Sequence, residues 1–179
     1  MAAPTEVTLR NLSGTWTLSS SLSDDPSPAL ELQDVSWLVR NVIANAPVTI
    51  SITQTVDPTT GVTKIASTQS TLGRTVSDVR YLEWEVEDQQ NHPLFGSLSM
   101  RSRWAKASDL GEGFLIGNAD GEAELIEVLA HGTMAGWTSH QVWAFEEIDG
   151  HRYHTRRALV TKGDQQVQVR MVYDWQTEE

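Results

Sequence analysis

Cysteine is absent from this chain of 179 residues, so it forms no disulfide, offers no thiol nucleophile and builds no thiolate metal site. Bases are scarce too. Thirteen Lys and Arg stand against 24 Asp and Glu, a net charge of −11, and no basic run exceeds Arg156-Arg157. That excludes the basic face a nucleic-acid partner needs and argues against an anionic membrane surface. Solubility through self-repulsion accounts for the acidity without any function. No run approaches the ~18 apolar residues of a membrane span, and the opening MAAPTEVTLR has no apolar leader core. Membrane insertion is therefore not expected, and the cytoplasm is the expected location.

Chemical motifs are equally sparse. There is no Gly-x-Ser-x-Gly elbow and no glycine-rich phosphate or dinucleotide loop; GEG at 111–113 and GNADG at 117–121 read as turns. Of five histidines only His151 and His154 are close, and three apart on a strand they face opposite ways, so no metal site is expected. His131 and His140 are candidates for general acid–base groups, but each reads more readily as structural. Glu146-Glu147 and Glu122/Glu124 have the spacing of a wet surface. No cofactor is called for.

What the chain does have is tryptophan, seven residues against three Tyr and three Phe, and a series of short alternating segments divided by turn residues. Trp suits both cavity walls and plain cores. Residues 12–20 alternate, with Gly14, Trp16 and Leu18 on one face, until DDPSP breaks the strand. Between 28 and 44 the apolar residues take helical spacing, interrupted near Gln33-Asp34. This predicts two short helices with Asp34 capping the second. After Pro47 alternation returns through Val48, Ile50, Ile52 and Val56, DPTTG makes a turn, and a Thr/Ser-rich strand covers 62–71.

A hairpin about Asn91-His92-Pro93 is predicted to set Glu85 opposite Arg101, Glu83 opposite Arg103, Val86 opposite Met100 and Leu82 opposite Trp104. Such cross-strand pairs contribute about 0.2–1 kcal/mol each. The charged pairs read as solvated ion pairs of the outer face, with a buried polar network as the alternative. Further strands are expected over 114–117, 122–130, 137–148, 151–161 and 165–175. For IDGH, a two-residue Asp149-Gly150 loop pairs Glu146 with Tyr153. A three-residue loop that includes Ile148 pairs Phe145 with Tyr153 and Trp143 with Thr155, and burial favours it. A three-residue Lys162-Gly163-Asp164 loop then sets Tyr153 against Tyr173, Thr155 against Met171 and Arg157 against Val169.

The opening NLSGTW, followed by the helix pair and APVTISIT, resembles the start of an intracellular fatty-acid-binding protein, and Gly14-Thr15-Trp16 resembles the mark of the wider calycin group that includes lipocalins. VQVRMVYDW resembles that family's last strand, which carries an Arg-x-Tyr. The resemblance implies an all-β fold: a single up-and-down antiparallel β-barrel of about ten strands, calycin type, with the short helix pair as lid and the 37–43 stretch WLVRNVI as its inner face. One domain is expected over 1–179, with a flexible N-terminus at 1–10, the lid at 27–45 and a tail at 176–179.

The chain departs from the family in two ways. It is longer, with extended hairpins expected around 87–94 and 105–122. Arg170 and Tyr173, three apart, face opposite sides of a regular strand, so the family's carboxylate clamp does not carry over to Arg170. Arg157 would substitute on an inner face shared with Phe145, Tyr153, Met171 and Tyr173, and a guanidinium there implies an anionic or carbonyl group on the ligand. With the register off by one, Arg157 is instead exposed.

The expected function is an intracellular carrier for a hydrophobic, ring-containing small molecule, with Trp37, Trp84, Met100, Trp104, Trp143, Phe145, Tyr153, Arg157, Met171 and Tyr173 lining the cavity. The alternative is a cofactor-independent cyclase or isomerase of specialised metabolism, acting on a polyketide or terpenoid, with Arg157, Tyr173 and Tyr153 as the catalytic donors. A third possibility is a barrel filled by its own side chains.

Overall fold

Hydroxyl residues alternate with apolar ones along the first strands: along Thr49–Val56, Ile50 and Ile52 are buried while Ser51 and Thr53 are exposed. The computed structural model describes residues 1–177. Its elements are β1 (Gly14–Leu18), α1 (Ser27–Leu32), α2 (Trp37–Asn45), β2 (Thr49–Val56), β3 (Thr63–Thr71), β4 (Arg74–Tyr81), β5 (Asp88–His92), β6 (Gly96–Lys106), β7 (Glu124–Gly132), β8 (Trp137–Ile148), β9 (His151–Lys162) and β10 (Gln165–Gln176). The ten strands form one sheet, ordered β4-β3-β2-β1-β10-β9-β8-β7-β6-β5, with antiparallel pairing throughout.

The sheet curls into a nearly closed barrel with a lid of two helices, the calycin-type architecture expected. At the seam β4 and β5 form no ladder. The Gln90 amide donates to the Val79 carbonyl at 3.2 Å, and Leu82 bridges Ser102 just beyond β4. Gly14 has a physical reason: φ there is +140°, and a Cβ would collide with the Trp175 ring, which packs edge-on against the wholly buried Trp16.

The base of the barrel is stoppered. Ala3, Val7, Leu9 and Leu12 join the main core, and the Arg152 guanidinium donates to the carbonyls of Pro4 (3.2 Å) and Val7 (2.7 Å) while stacking on Phe145. Residues 1–10, expected to be flexible, are thus held by apolar burial and by an arginine. Of the expected tail, Gln176 ends β10 and residues 178–179 lie outside the described residues.

Several expected details are corrected. The cap of α2 is Ser36; Asp34 sits in the link with φ +62° and pairs with Lys162 at 2.6 Å. α1, not α2, supplies the lid's inner face. Ala29 and Leu32 pack on Ala158, Val160 and Val169, whereas no α2 residue is buried and Trp37 and Leu38 are 69% and 66% exposed. Residues 82–86 leave the ladder as a turn, and Arg74–Tyr81 provides the strand instead.

The β5–β6 register is shifted by two residues, Asp88 facing Met100, because the loop closes at Pro93-Leu94-Phe95. Glu85–Arg101 and Glu83–Arg103 therefore do not form; Arg101 lies 3.9 Å from Glu87, and Arg103 bonds Glu127 at 2.5 Å. The 114–117 strand is a turn, since Leu115 and Ile116 lie on the outer face of the sheet against Leu125, Val142 and Ala144 rather than pairing with a neighbour.

The largest correction concerns β9. Both of its hairpin loops have two residues. Asp149 (φ +51°) and Gly150 (φ +75°) form the first, in the left-handed pair typical of a type I′ turn, and Gly163-Asp164 the second. Tyr153 therefore faces Glu146, and Tyr173 faces His154. A one-residue shift turns every side chain to the other face, so His154 and Arg156 point inward where Tyr153, Thr155 and Arg157 were expected.

Candidate functional site

Beneath α1, at the end of the barrel away from the stopper, lies a cavity of about 180 Å³. Leu98, Met100, Val128, Ala130, Val160 and Met171 give it apolar walls; Pro26, Ala29, Leu30 and Gln33 close it from the lid. Phe95 and Trp137 meet edge to face beside it, 5.8 Å between centroids. Polar groups enter from β4 (Asp78, Arg80), β5 (Gln90, His92) and β8 (Ser139, Gln141). Mostly apolar walls with a few convergent polar groups are the usual composition of a small-molecule site.

Asp78 and Arg80 are two apart on β4 and share its inner face. Arg80 bonds the Asp78 carboxylate through Nε (3.0 Å) and Nη2, and the Ser67 hydroxyl of β3 also donates to it. Burial pushes the Asp78 carboxyl up, but the charge and hydrogen bonds of Arg80, the Ser67 hydroxyl and the charge of Arg156 outweigh it and hold it below its ordinary value. Burial pulls the His92 imidazole below its ordinary value, Asp78 opposing and Arg80 assisting. His92 Nδ1 accepts the Leu94 backbone N–H at 3.1 Å, so the neutral ring carries its proton on Nε2. The Trp143 indole donates to Gln141 Oε1 at 3.0 Å, leaving the Gln141 NH2 for the cavity.

Deeper in the barrel an aromatic layer surrounds a neutral histidine. His154 stacks on Tyr173 (5.5 Å) and meets Trp16, Trp143 and Phe145. Its Nδ1 donates to the Ala144 carbonyl at 3.1 Å, which leaves Nε2 to accept from Arg156 Nε at 3.2 Å. Complete burial, reinforced by the charges of Arg156 and Arg152, keeps its pKa well below the usual histidine value. The Arg156 guanidinium lies 3.7 Å over Trp143 and 4.9 Å from Tyr173, and Arg80 lies 4.9 Å over the same Trp143 ring. Burial raises the Tyr173 phenol above its ordinary value, so it is neutral; its hydroxyl reaches only the Met171 sulfur, at 3.6 Å.

Of the residues singled out from sequence, Met100 and Met171 line the cavity, and Trp143, Phe145 and Tyr173 form the aromatic layer below it. Trp104 is farther off, donating to Thr63 with Arg10 over its ring. Trp37 is on the exposed α2, and Trp84 is in the 82–86 turn under Arg103. Tyr153 and Arg157 are on the outer face; Arg157 is clamped by Glu146 through Nε and Nη2, both at 2.8 Å, and donates to the Phe114 carbonyl.

Sequence reasoning missed Asp78, Arg80, His92, Gln141, His154 and Arg156. The visible signal was Val76-Ser-Asp78-Val-Arg80, a strand whose polar residues take the apolar phase, together with the two-residue reading of IDGH. Arg170 and Tyr173 do face opposite ways: Arg170 reaches outward to the Leu22 carbonyl. His131 and His140 are outer-face residues, bonded to Thr138 and Glu127. Among the described residues no group of three or more His, Asp or Glu side chains is placed to hold a metal, and no helix is long and apolar enough to cross a membrane.

No family model matches the chain. It is 33% identical over 183 residues to a probable pericyclase, scpY, of Mollisia scopiformis, covering 97% of this chain and 94% of that protein. It is 32% identical over 180 residues to the pericyclase pydY of an Acremonium species, covering 98% and 97%. In structure it is similar to lipid binding protein 8 of Caenorhabditis elegans (TM-score 0.63, 12% identity, 96% of this chain and 99% of that one). It is also similar to a Schistosoma mansoni fatty acid binding protein solved with arachidonic acid (TM-score 0.59, 17% identity, 92% and 96%). At these identities the structural likeness bears on the fold alone.

Proposed function

The chain belongs to the family of these pericyclases, and from that premise we propose that it catalyses a cofactor-independent pericyclic cyclisation of a hydrophobic substrate inside the barrel. A pericyclic step exchanges π bonds for σ bonds within one molecule, so atoms, protons and electrons balance without a co-reactant and the product has the substrate's mass. The protein then has two tasks. It holds a flexible chain in a reactive fold, which removes entropy from the barrier. It also directs fixed donors at an oxygen that gains negative character as the bonds form.

The apolar walls and the lid residues of α1 suit the first task. Arg80, the Gln141 NH2 and the His92 Nε2–H suit the second. The observation that carries the reading is the likeness to two pericyclases along nearly the whole of both chains. A cytoplasmic location belongs to the same proposal.

The lipid-binding barrels it is similar to in fold favour a second reading, a carrier for a hydrophobic molecule. One experiment separates the two. The purified protein is incubated with a metabolite extract of its own host, beside a heat-denatured control, and protein-bound and free fractions are compared by mass spectrometry. Loss of one compound with catalytic gain of an isomer of equal mass is expected. Retention of an unchanged compound, stoichiometric with protein, would make it a carrier.

A further inference from the structure

Three charges lie deep on the inner face, and they do not cancel. Asp78 and Arg80 are 14% and 13% exposed and Arg156 is 8% exposed, so two guanidiniums share one carboxylate. Asp78 is already engaged by both Arg80 nitrogens and by Ser67. Among the described residues Arg156 has no carboxylate partner: its Nε is spent on the neutral His154, and its Nη2 is buried without a hydrogen-bond partner.

The other charges facing this cluster do not restore the balance. Asp88, half-buried on β5 opposite Met100, feels the charge of Arg80 but forms no ion pair with it, and Arg152 adds a further cation at the base, satisfied by backbone carbonyls, so three guanidiniums stand against two carboxylates. The surplus runs against a chain of net charge −11. A buried guanidinium without an anion is destabilising relative to a hydrocarbon of similar size. Both arginines contact Trp143, whose indole holds the cavity-lining Gln141, and Met171, directly across from Arg156 on β10, lines the cavity as well.

We infer that the molecule held in this cavity carries a carboxylate-type oxyanion, two oxygens sharing one charge, which acts as the missing counter-ion of Arg80 and Arg156; this rests on reading the cavity as the reacting site. A planar oxyanion matches the guanidinium fork. It would anchor one end of the substrate at the Trp143 side of the cavity and leave the apolar remainder under α1. Which end of the substrate enters deepest is then set by charge, and the cavity walls fold the rest.

The test is calorimetric titration of the intact protein with 2-naphthoate and with its uncharged isostere 2-naphthamide. Naphthoate is expected to bind at least about tenfold more tightly, a difference of about 1.4 kcal/mol. In Arg80→Met and Arg156→Met, checked for fold by circular dichroism, that ratio is expected to fall to near one with naphthamide affinity unchanged. Equal wild-type affinities, tighter naphthamide binding, or binding of neither probe would overturn the inference. So would a preference that survives in both folded variants, and if neither variant folds the wild-type ratio decides alone. The catalytic reading fails separately: no isomer formed from host extract, with the naphthoate preference intact, would remove catalysis and leave the anion site.

Discussion

Arg156 and Arg157 are neighbours in sequence and opposites in environment. Arg157, on the outer face of β9, has a complete carboxylate partner: Glu146 takes two of its nitrogens, Thr155 bonds the same carboxylate, and the 114–117 turn covers the pair. Arg156, on the inner face, has rings above it, a neutral imidazole at Nε and, among the described residues, no carboxylate bonded to it. Strand parity alone separates the two. The outer arrangement is complete without a ligand; the inner one is not. A buried charge whose partners are all in place is an argument about stability, and one left short is an argument about binding.

The largest expected effect tests the outer half. Arg157→Ala leaves the Glu146 carboxylate, 14% exposed, without its cation. Unfolding in urea should show a loss of about 3 kcal/mol, with the naphthoate-to-naphthamide ratio unchanged. Asp78→Asn tests the inner half and is expected to cost about 2 kcal/mol by removing the carboxylate that Arg80 bonds beside a second guanidinium on Trp143. Here the size of the rescue differs: naphthoate should bind Asp78→Asn more tightly than wild type and raise its melting temperature by more than it raises that of wild type or Arg157→Ala.

A third prediction concerns pH. His154 has a depressed pKa in the folded state, so below the unfolded value of about 6.5 the unfolded chain binds the extra proton. Stability is therefore full above that value and falls with acid by about 1.4 kcal/mol per pH unit. Denaturant titrations at pH 7 and pH 5.5 should show at least this slope, and His154→Gln should remove the larger part of it, leaving the share of His92, which is also depressed. Asp78 and Glu146, also depressed, contribute in a separate window and lose their effect only as pH falls below about 4. The smallest effect is a control belonging to neither half: Trp37→Ser, at an exposed position of α2, should change stability by less than about 0.5 kcal/mol.

The barrel was legible wherever its inner face is apolar. Ile50 and Ile52 against Ser51 and Thr53, the Gly14-Thr15-Trp16 opening, and the helical spacing of 28–44 each correspond to the element observed. Legibility failed where the inner face is charged. Asp78 and Arg80 occupy the inward positions of β4, so the strand did not read as one, and its place went to Leu82, Trp84 and Val86, which form a turn instead.

β9 failed for the same reason. The longer loop is favoured on burial because the shorter one leaves Trp143 and Phe145 facing water if β9 presents Tyr153 inward, whereas the real strand turns His154 and Arg156 inward and compensates them with Trp143, Tyr173 and a backbone carbonyl. A rule that apolar side chains point inward misreads a strand where the interior is built to hold something polar. Such errors gather at the candidate site.

The N-terminal stopper has one further consequence. A tube sealed at its base is a cul-de-sac: whatever passes beneath α1 must come back out beneath α1, or squeeze sideways between β4 and β5. A floppy chain can thread such a doorway one segment at a time, but a newly closed ring system must pass it in one piece. On the cyclase reading proposed above, the tempo would then be set at the exit, by how soon the finished ring clears the threshold beneath α1.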